Sequence, residues 1–313
     1  MDLTTLLTQI APIFAVIAVG AVAARWDRFS ETAAATLNDL VYYLALPALI
    51  FDSVAEADLS AGVSGVAIAV AAGVLLVGYV LGVGAARLLR MPLREANAVG
   101  TVGAWGNVGY LGIPLAVAVL GPATGFAASL VSTIHTALAI SVFLVAATLI
   151  DRDRGSRGLL VRTVARRVLG NPIVIAIVLG LLVAASGWRL PHPVATTVAL
   201  IGAMAAPGGL FALGILLRGA VPALRGGRAG GIVVAVVLKL VVIPALAVAA
   251  VHVFAVPAPW AAVLVLMCAL PDAATVFVLM AQYRTWYRES TAAVVLTTVG
   301  SIVTLPVVLT LAL

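Results

Sequence analysis

The stretch Trp105-Gly106-Asn107-Val108-Gly109-Tyr110-Leu111-Gly112-Ile113-Pro114-Leu115 decides how this chain is read. It lies inside an apolar segment running from about Ala96 to Leu120, long enough to cross a bilayer at ~1.5 Å of rise per residue. Yet it carries three glycines, an asparagine and a proline. In hydrocarbon every freed N–H and C=O needs a partner, so a spanning helix breaks only where protein or a polar cavity surrounds the break. Gly112 permits departure from helical dihedrals, and Pro114 removes a donor, so the sequence predicts a break at Gly112–Pro114. A plain proline kink is the simpler alternative. A second interruption, Ala269-Leu270-Pro271-Asp272, favours the break, because paired interruptions in two halves of one chain mark a transporter's binding site.

Composition sets the class. The chain has 313 residues, of which 64% are hydrophobic and 10% charged, a balance that no soluble domain of this size shows. Its net charge of +6 is no sign of nucleic acid, because the arginines fall in short links between apolar runs. One cysteine, Cys268, rules out a disulfide framework, and His135, His192 and His252 lack metal-ligand spacing. No phosphate loop, nucleophile–base pair or metal cluster is visible, so neither an enzyme nor a cofactor is expected.

Ten spans are predicted, at about Thr5–Ala24, Ala33–Val54, Gly62–Ala85, Ala96–Leu120, Phe126–Ile150, Asn171–Ser186, Val194–Leu217, Gly230–Phe254, Trp260–Gln282 and Ser290–Leu311. The first has Asp2 and no basic residue ahead of it, so it is read as a retained helix and not a signal peptide. Alternate links hold 2, 3, 6, 3 and 2 basic residues, while the opposite links hold only Arg189. The positive-inside rule then places both termini outside the cytoplasm, in the cytoplasmic (inner) membrane. The second half of the central arginine-rich loop is expected to lie on the membrane surface as an amphipathic helix.

The two halves also resemble each other at an offset of 160 residues: Pro12-Ile13 and Gly20 match Pro172-Ile173 and Gly180, and Pro47 and Phe51 match Pro207 and Phe211. Pro114 corresponds to Pro271. Five spans per half make the second copy inverted in the membrane. The predicted fold is therefore an all-α polytopic membrane protein with a 5+5 inverted repeat. Residues 1–150 form the first repeat, 151–169 a basic loop and 170–313 the second repeat.

Four motifs carry a family likeness. Leu46-Pro-Ala-Leu-Ile-Phe51, Gly106 to Leu115, Leu238-Lys-Leu-Val-Val-Ile-Pro244 and Leu270-Pro-Asp-Ala-Ala with Ala281-Gln-Tyr283 resemble the auxin efflux carrier family, which includes plant auxin carriers and bacterial malonate-transporter-like proteins. The resemblance runs over nearly the whole chain. It implies an elevator-type carrier related to bile-acid/sodium symporters. Spans 1, 2, 6 and 7 would form a scaffold, spans 3–5 and 8–10 a mobile transport domain, and broken spans 4 and 9 would cross. The implied substrates are small organic anions. The sequence departs from the family pattern at Asp272, where a small neutral or hydroxyl residue is expected.

Candidate site residues follow. Substrate contact is assigned to Asn107, Gly112, Ile113, Pro114, Pro271 and Asp272, with Asn107 either donating to a carboxylate or satisfying freed carbonyls. Lys239, the only lysine, is paired with Asp272, either as a structural ion pair or as part of a coupling device. His135, flanked by Ser132, Thr133 and Thr136, is a proton relay or a satisfied core histidine. New half-helices are expected to start at Pro114 and Pro271, turning two positive ends toward a shared anion site. The glycines Gly202, Gly208 and Gly209 are read as close-packing positions.

The sequence reading is thus a secondary carrier of a small organic anion, auxin-like or a mono- or dicarboxylate, working in the lipid bilayer as a homodimer. Proton or sodium coupling is open. A cation/proton-coupled antiporter or symporter using Asp272 is the first rival, and a channel-like facilitator or sensor the second.

Overall fold

The computed structural model describes residues 3–56, 62–150, 169–170, 172–223, 229–273 and 275–312. The predicted surface helix of the central loop lies outside the described residues. Among these residues the chain is helical throughout, with one isolated β-bridge, as expected of a polytopic membrane protein. Six helices are long and apolar enough to cross a membrane, and two shorter apolar ones accompany them.

Helix α1 is Leu3–Ala23, α2 Glu31–Leu40, α3 Leu46–Ala55, α4 Gly65–Leu88, α5 Leu93–Ala104, α6 Ile113–Leu120 and α7 Gly125–Ile150. Then come α8 Pro172–Ser186, α9 His192–Ala203, α10 Ala205–Ala223, α11 Ala229–Val237 and α12 Ile243–Val253. The last three are α13 Ala258–Ala269, α14 Thr275–Gln282 and α15 Tyr287–Ala312.

Three π-helical segments join consecutive helices: Val41–Ala45 (α2 to α3), Val108–Gly112 (into α6) and Leu238–Val242 (α11 to α12). A proline follows each at the same spacing, namely Pro47, Pro114 and Pro244. Proline offers no N–H to the preceding turn and its ring pushes the i−4 carbonyl away, and widening the ladder by one residue absorbs both defects. The helix therefore runs through Pro114 and does not restart there. Gly112 likewise has helical dihedrals (φ −67°, ψ −50°), so the break predicted at Gly112–Pro114 is displaced.

The elements pack in two groups. In one, α1 lies on α10, α2 on α10, and α3 on α8 and α9. In the other, α4 packs on α5, α11 on α5, α12 on α4 and α13, and α15 on α11, α13 and α14. Contact between the groups runs chiefly along α10 and α15.

Both groups use glycine to bring backbones close. A Cβ added at Gly214 of α10 would strike the Ile17 carbonyl and lie 2.9 Å from Ala21 N, and one at Gly20 of α1 would strike the Phe211 carbonyl. A Cβ at Gly82 of α4 would lie 2.8 Å from Gly100 Cα of α5. Gly202 packs on Leu49, where a Cβ would meet backbone at 2.9 Å, and Gly208 packs on Val41.

Candidate functional site at the crossover

Two helices of the second group are interrupted, and the interruptions meet. Helix α5 ends at Ala104 and the chain is extended at Trp105 before turning into the π segment at Val108. Helix α13 ends at Ala269, with an extended Leu270, and α14 begins at Thr275. Gly106 and Asp272 form an antiparallel bridge. Asn107 N–H donates to Pro271 O at 2.8 Å, and Ala273 N–H donates to Trp105 O at 2.9 Å.

Other freed groups are partnered nearby. Leu111 and Gly112 donate to Asn107 O, Val108 donates to Gly106 O, and Asp272 N–H donates to Thr297 Oγ1 at 3.1 Å. This is how irregular backbone survives within a membrane protein: each break supplies what the other lacks.

The true restarts are thus Val108 and Thr275, not Pro114 and Pro271. Pairing with the partner strand selects the break, and a proline pattern does not encode that pairing. Ile113 and Pro114 fall in the first turn of α6, past the crossover, while Pro271 is one of the extended bridging residues. Gly112 serves close approach: a Cβ there would lie 2.5 Å from Met267 Sδ and 2.8 Å from Leu270 Cδ1.

Side chains of four predicted residues are buried: Asp272 is 0% exposed, Lys239 1%, His135 3% and Asn107 6%. A cavity of about 20 Å³ adjoins the bridge. Its polar lining comes from Asn107, Ser132, Thr136 and Thr275. The volume suits about one water molecule. The Asn107 amide makes no side-chain hydrogen bond among the described residues, so it does not serve the freed carbonyls.

Lys239 Nζ donates to Cys268 O at 3.1 Å, at the carbonyl end of α13. Among the described residues neither carboxylate oxygen of Asp272 has a partner at hydrogen-bond geometry, although Lys239 lies within electrostatic range and the Thr297 hydroxyl lies close enough to interact. The Thr297 hydroxyl instead donates to Val294 O at 3.1 Å. His135 Nε2 donates to Ala71 O of α4 at 3.1 Å, as a satisfied core histidine does, and does not line the cavity.

Sequence reasoning missed Gly106, Thr297 and the Cys268 carbonyl. Polar residues of the run Thr297-Thr298-Val299-Gly300-Ser301 were a usable signal for the second, whereas a backbone acceptor leaves no trace in sequence.

A larger cavity, about 910 Å³, lies where the two groups part. It is lined by α2 (Glu31, Asn38, Asp39), the end of α14 (Gln282) and the start of α15 (Arg288, Glu289). Gln282 Nε2 hydrogen-bonds Tyr43 across the groups.

The chain is similar to known transporters over nearly its full length. It is 30% identical over 304 residues to a protein of Rhizobium meliloti (strain 1021) named "Putative malonate transporter", covering 94% of this chain and 92% of that protein. It is 24% identical over 310 residues to the "Uncharacterized transporter YfdV" of Escherichia coli (strain K12), covering 97% and 96%. The family model described as "Membrane transport protein" matches residues 5–309. By this match over nearly its whole length, the chain belongs to the membrane transport protein family of auxin efflux carriers.

Proposed function

We propose that this protein is a ten-span secondary carrier that moves a short organic dicarboxylate of the malonate class across the cytoplasmic membrane. The second packing group moves as one body against the first, in an elevator movement. The 5+5 inverted repeat accounts for two interrupted helices that meet with opposite sense.

The observation that carries the reading is the antiparallel bridge between Gly106 and Asp272 beside an unengaged Asn107 amide. Two half-helix starts, at Val108 and Thr275, lie next to the cavity that Asn107 and Thr275 line. Helix starts carry about half a positive charge each and free N–H donors, which suits a carboxylate. The carbonyl end of α13 faces Lys239 instead, so the crossover has an anion-favouring and a cation-favouring side.

Relative movement of the groups is supported by the cavity volumes. About 20 Å³ is too small for a three-carbon diacid, and Leu46 and Ile50 of α3 close it from the first group. Withdrawing the second group from α3 enlarges it. Within each group, by contrast, glycine contacts of backbone on backbone leave no slack.

Counterflow in proteoliposomes tests the proposal. Vesicles preloaded with unlabelled malonate should accumulate labelled malonate transiently above its external concentration, and saturably. Equilibration without overshoot would indicate a channel-like facilitator. No malonate-stimulated flux of either kind would remove the dicarboxylate assignment.

A further inference from the structure

We propose that the Lys239 ammonium is a tethered cation filling a monovalent-cation site at the crossover, so that the carrier needs no sodium there. The consequence for transport rests on the carrier reading above; the cation site itself does not.

Three observations converge on the ammonium. It donates to Cys268 O, at the end of α13, where the last carbonyls of a helix have no intrahelical donor and carry partial negative charge. The backbone at Gly106 passes close to the charge: a Cβ built there would lie 2.8 Å from Lys239 Nζ. Glycine at 106 is therefore what leaves room for the charge. The third is the Asp272 carboxylate, fully buried, with neither oxygen at hydrogen-bond geometry to a described residue and Lys239 in electrostatic range.

An unpartnered buried carboxylate is costly, so the arrangement requires a cation close by, and the lysine is built to supply it. The groups that face the ammonium are oxygens, the bonded Cys268 carbonyl and the Asp272 carboxylate in electrostatic range, the ligand chemistry of a hard cation. A single carboxylate matches a single positive charge. Among the described residues no group of three His, Cys, Asp or Glu side chains exists that would favour a divalent metal. The ammonium thus supplies the single positive charge that a monovalent cation would, held by a covalent stem within the π segment Leu238–Val242.

Truncating the stem should turn the fixed cation into a site for a free one. The test is thermal unfolding of the purified full-length protein in sodium chloride and in choline chloride at matched ionic strength. Wild type should melt at the same temperature in both. Lys239→Ala should melt about 5 °C higher in sodium than in choline, with saturation. Lys239→Ala with Asp272→Asn should show no difference, because the anionic ligand is gone. Lys239→Ser repeats the measurement with a hydroxyl oxygen added and carries the same expectation as Lys239→Ala.

The proposal is overturned if both single variants melt alike in the two salts, or cannot be recovered even from sodium-containing buffer. A saturable sodium response in wild type overturns it as well. A response persisting in the double variant would remove Asp272 from the site and with it the proposal. Counterflow of the same preparations is read separately. Sodium-dependent melting without any transport would sink the carrier reading and leave this one standing.

Discussion

At the scale of single residues, Asn107 separates binding from folding. Its backbone holds the crossover together, accepting from Leu111 and Gly112 and donating to Pro271, but its amide makes no bond to any described residue. Asn107→Ala should therefore change stability by no more than about 0.5 kcal/mol. Transport should fall at least about tenfold, the loss of one carboxylate hydrogen bond in the transported complex. Thermal unfolding and counterflow on one preparation measure both. A strongly destabilised variant that still transports would make the amide a structural group.

Gly112 gives the opposite pattern. Gly112→Leu forces side-chain atoms into Met267 and Leu270, which should cost about 1–3 kcal/mol as overpacking does. Since the nearest atom is a flexible thioether, Gly112→Leu with Met267→Ala should recover most of that stability. If the second change adds to the first loss, the contact is not the cause.

The element scale shows what the sequence disclosed and what it concealed. Both interruptions were legible, because Gly-Asn-Val-Gly and Leu-Pro-Asp do not belong in uniform apolar helices. Their exact places were not. Proline at 114 announces a missing donor, and the structure meets that defect with a π turn inside a continuing helix. The break itself falls at Trp105–Asn107, where bridge partners from the other half are available. Lys239 repeats the lesson: depth in the membrane suggested Asp272 as partner, while the bonded acceptor is the Cys268 carbonyl.

Close helix packing was signalled in part: Gly202 and Gly208, read as packing positions, do meet Leu49 and Val41, whereas Gly214, where backbones approach most closely, was not singled out and supports a prediction for the first packing group. A Cβ at Gly214 meets backbone of α1, which cannot rotate away as a side chain can. Gly214→Val should destabilise by about 3 kcal/mol or more, well beyond the cost of an exposed helix substitution. Denaturant midpoints in detergent measure it, and a change under about 1 kcal/mol would show that α1 and α10 are free to separate.

For the whole molecule, charge and cavity make one joint statement about sidedness. Of 18 basic residues, 16 lie in alternate links, and the orientation we propose from that bias has those links in the cytoplasm and both termini outside it. The cavity of about 910 Å³ between the packing groups is lined by Glu31, Asp39, Arg284 and Arg288, residues at or beside two of those links. In that proposed orientation the larger cavity opens toward the cytoplasm, while the space around Asn107 is nearly closed. Ala281 lines that cavity and is exposed, so Ala281→Cys offers a thiol there, and Cys268→Ala removes the buried native one. A membrane-impermeant maleimide should label Ala281→Cys in inside-out vesicles and leave it unlabelled in intact cells. A reporter fused after Leu313 should be active only outside the cytoplasm. The two readouts are independent, since one follows an internal cavity and the other a chain end. Labelling from the outside together with a cytoplasmic reporter would invert the topology while keeping the fold. Labelling from the outside with an extracytoplasmic reporter would mean an odd number of crossings between Ala281 and Leu313 is wrong, and the five-span repeat would fall with it.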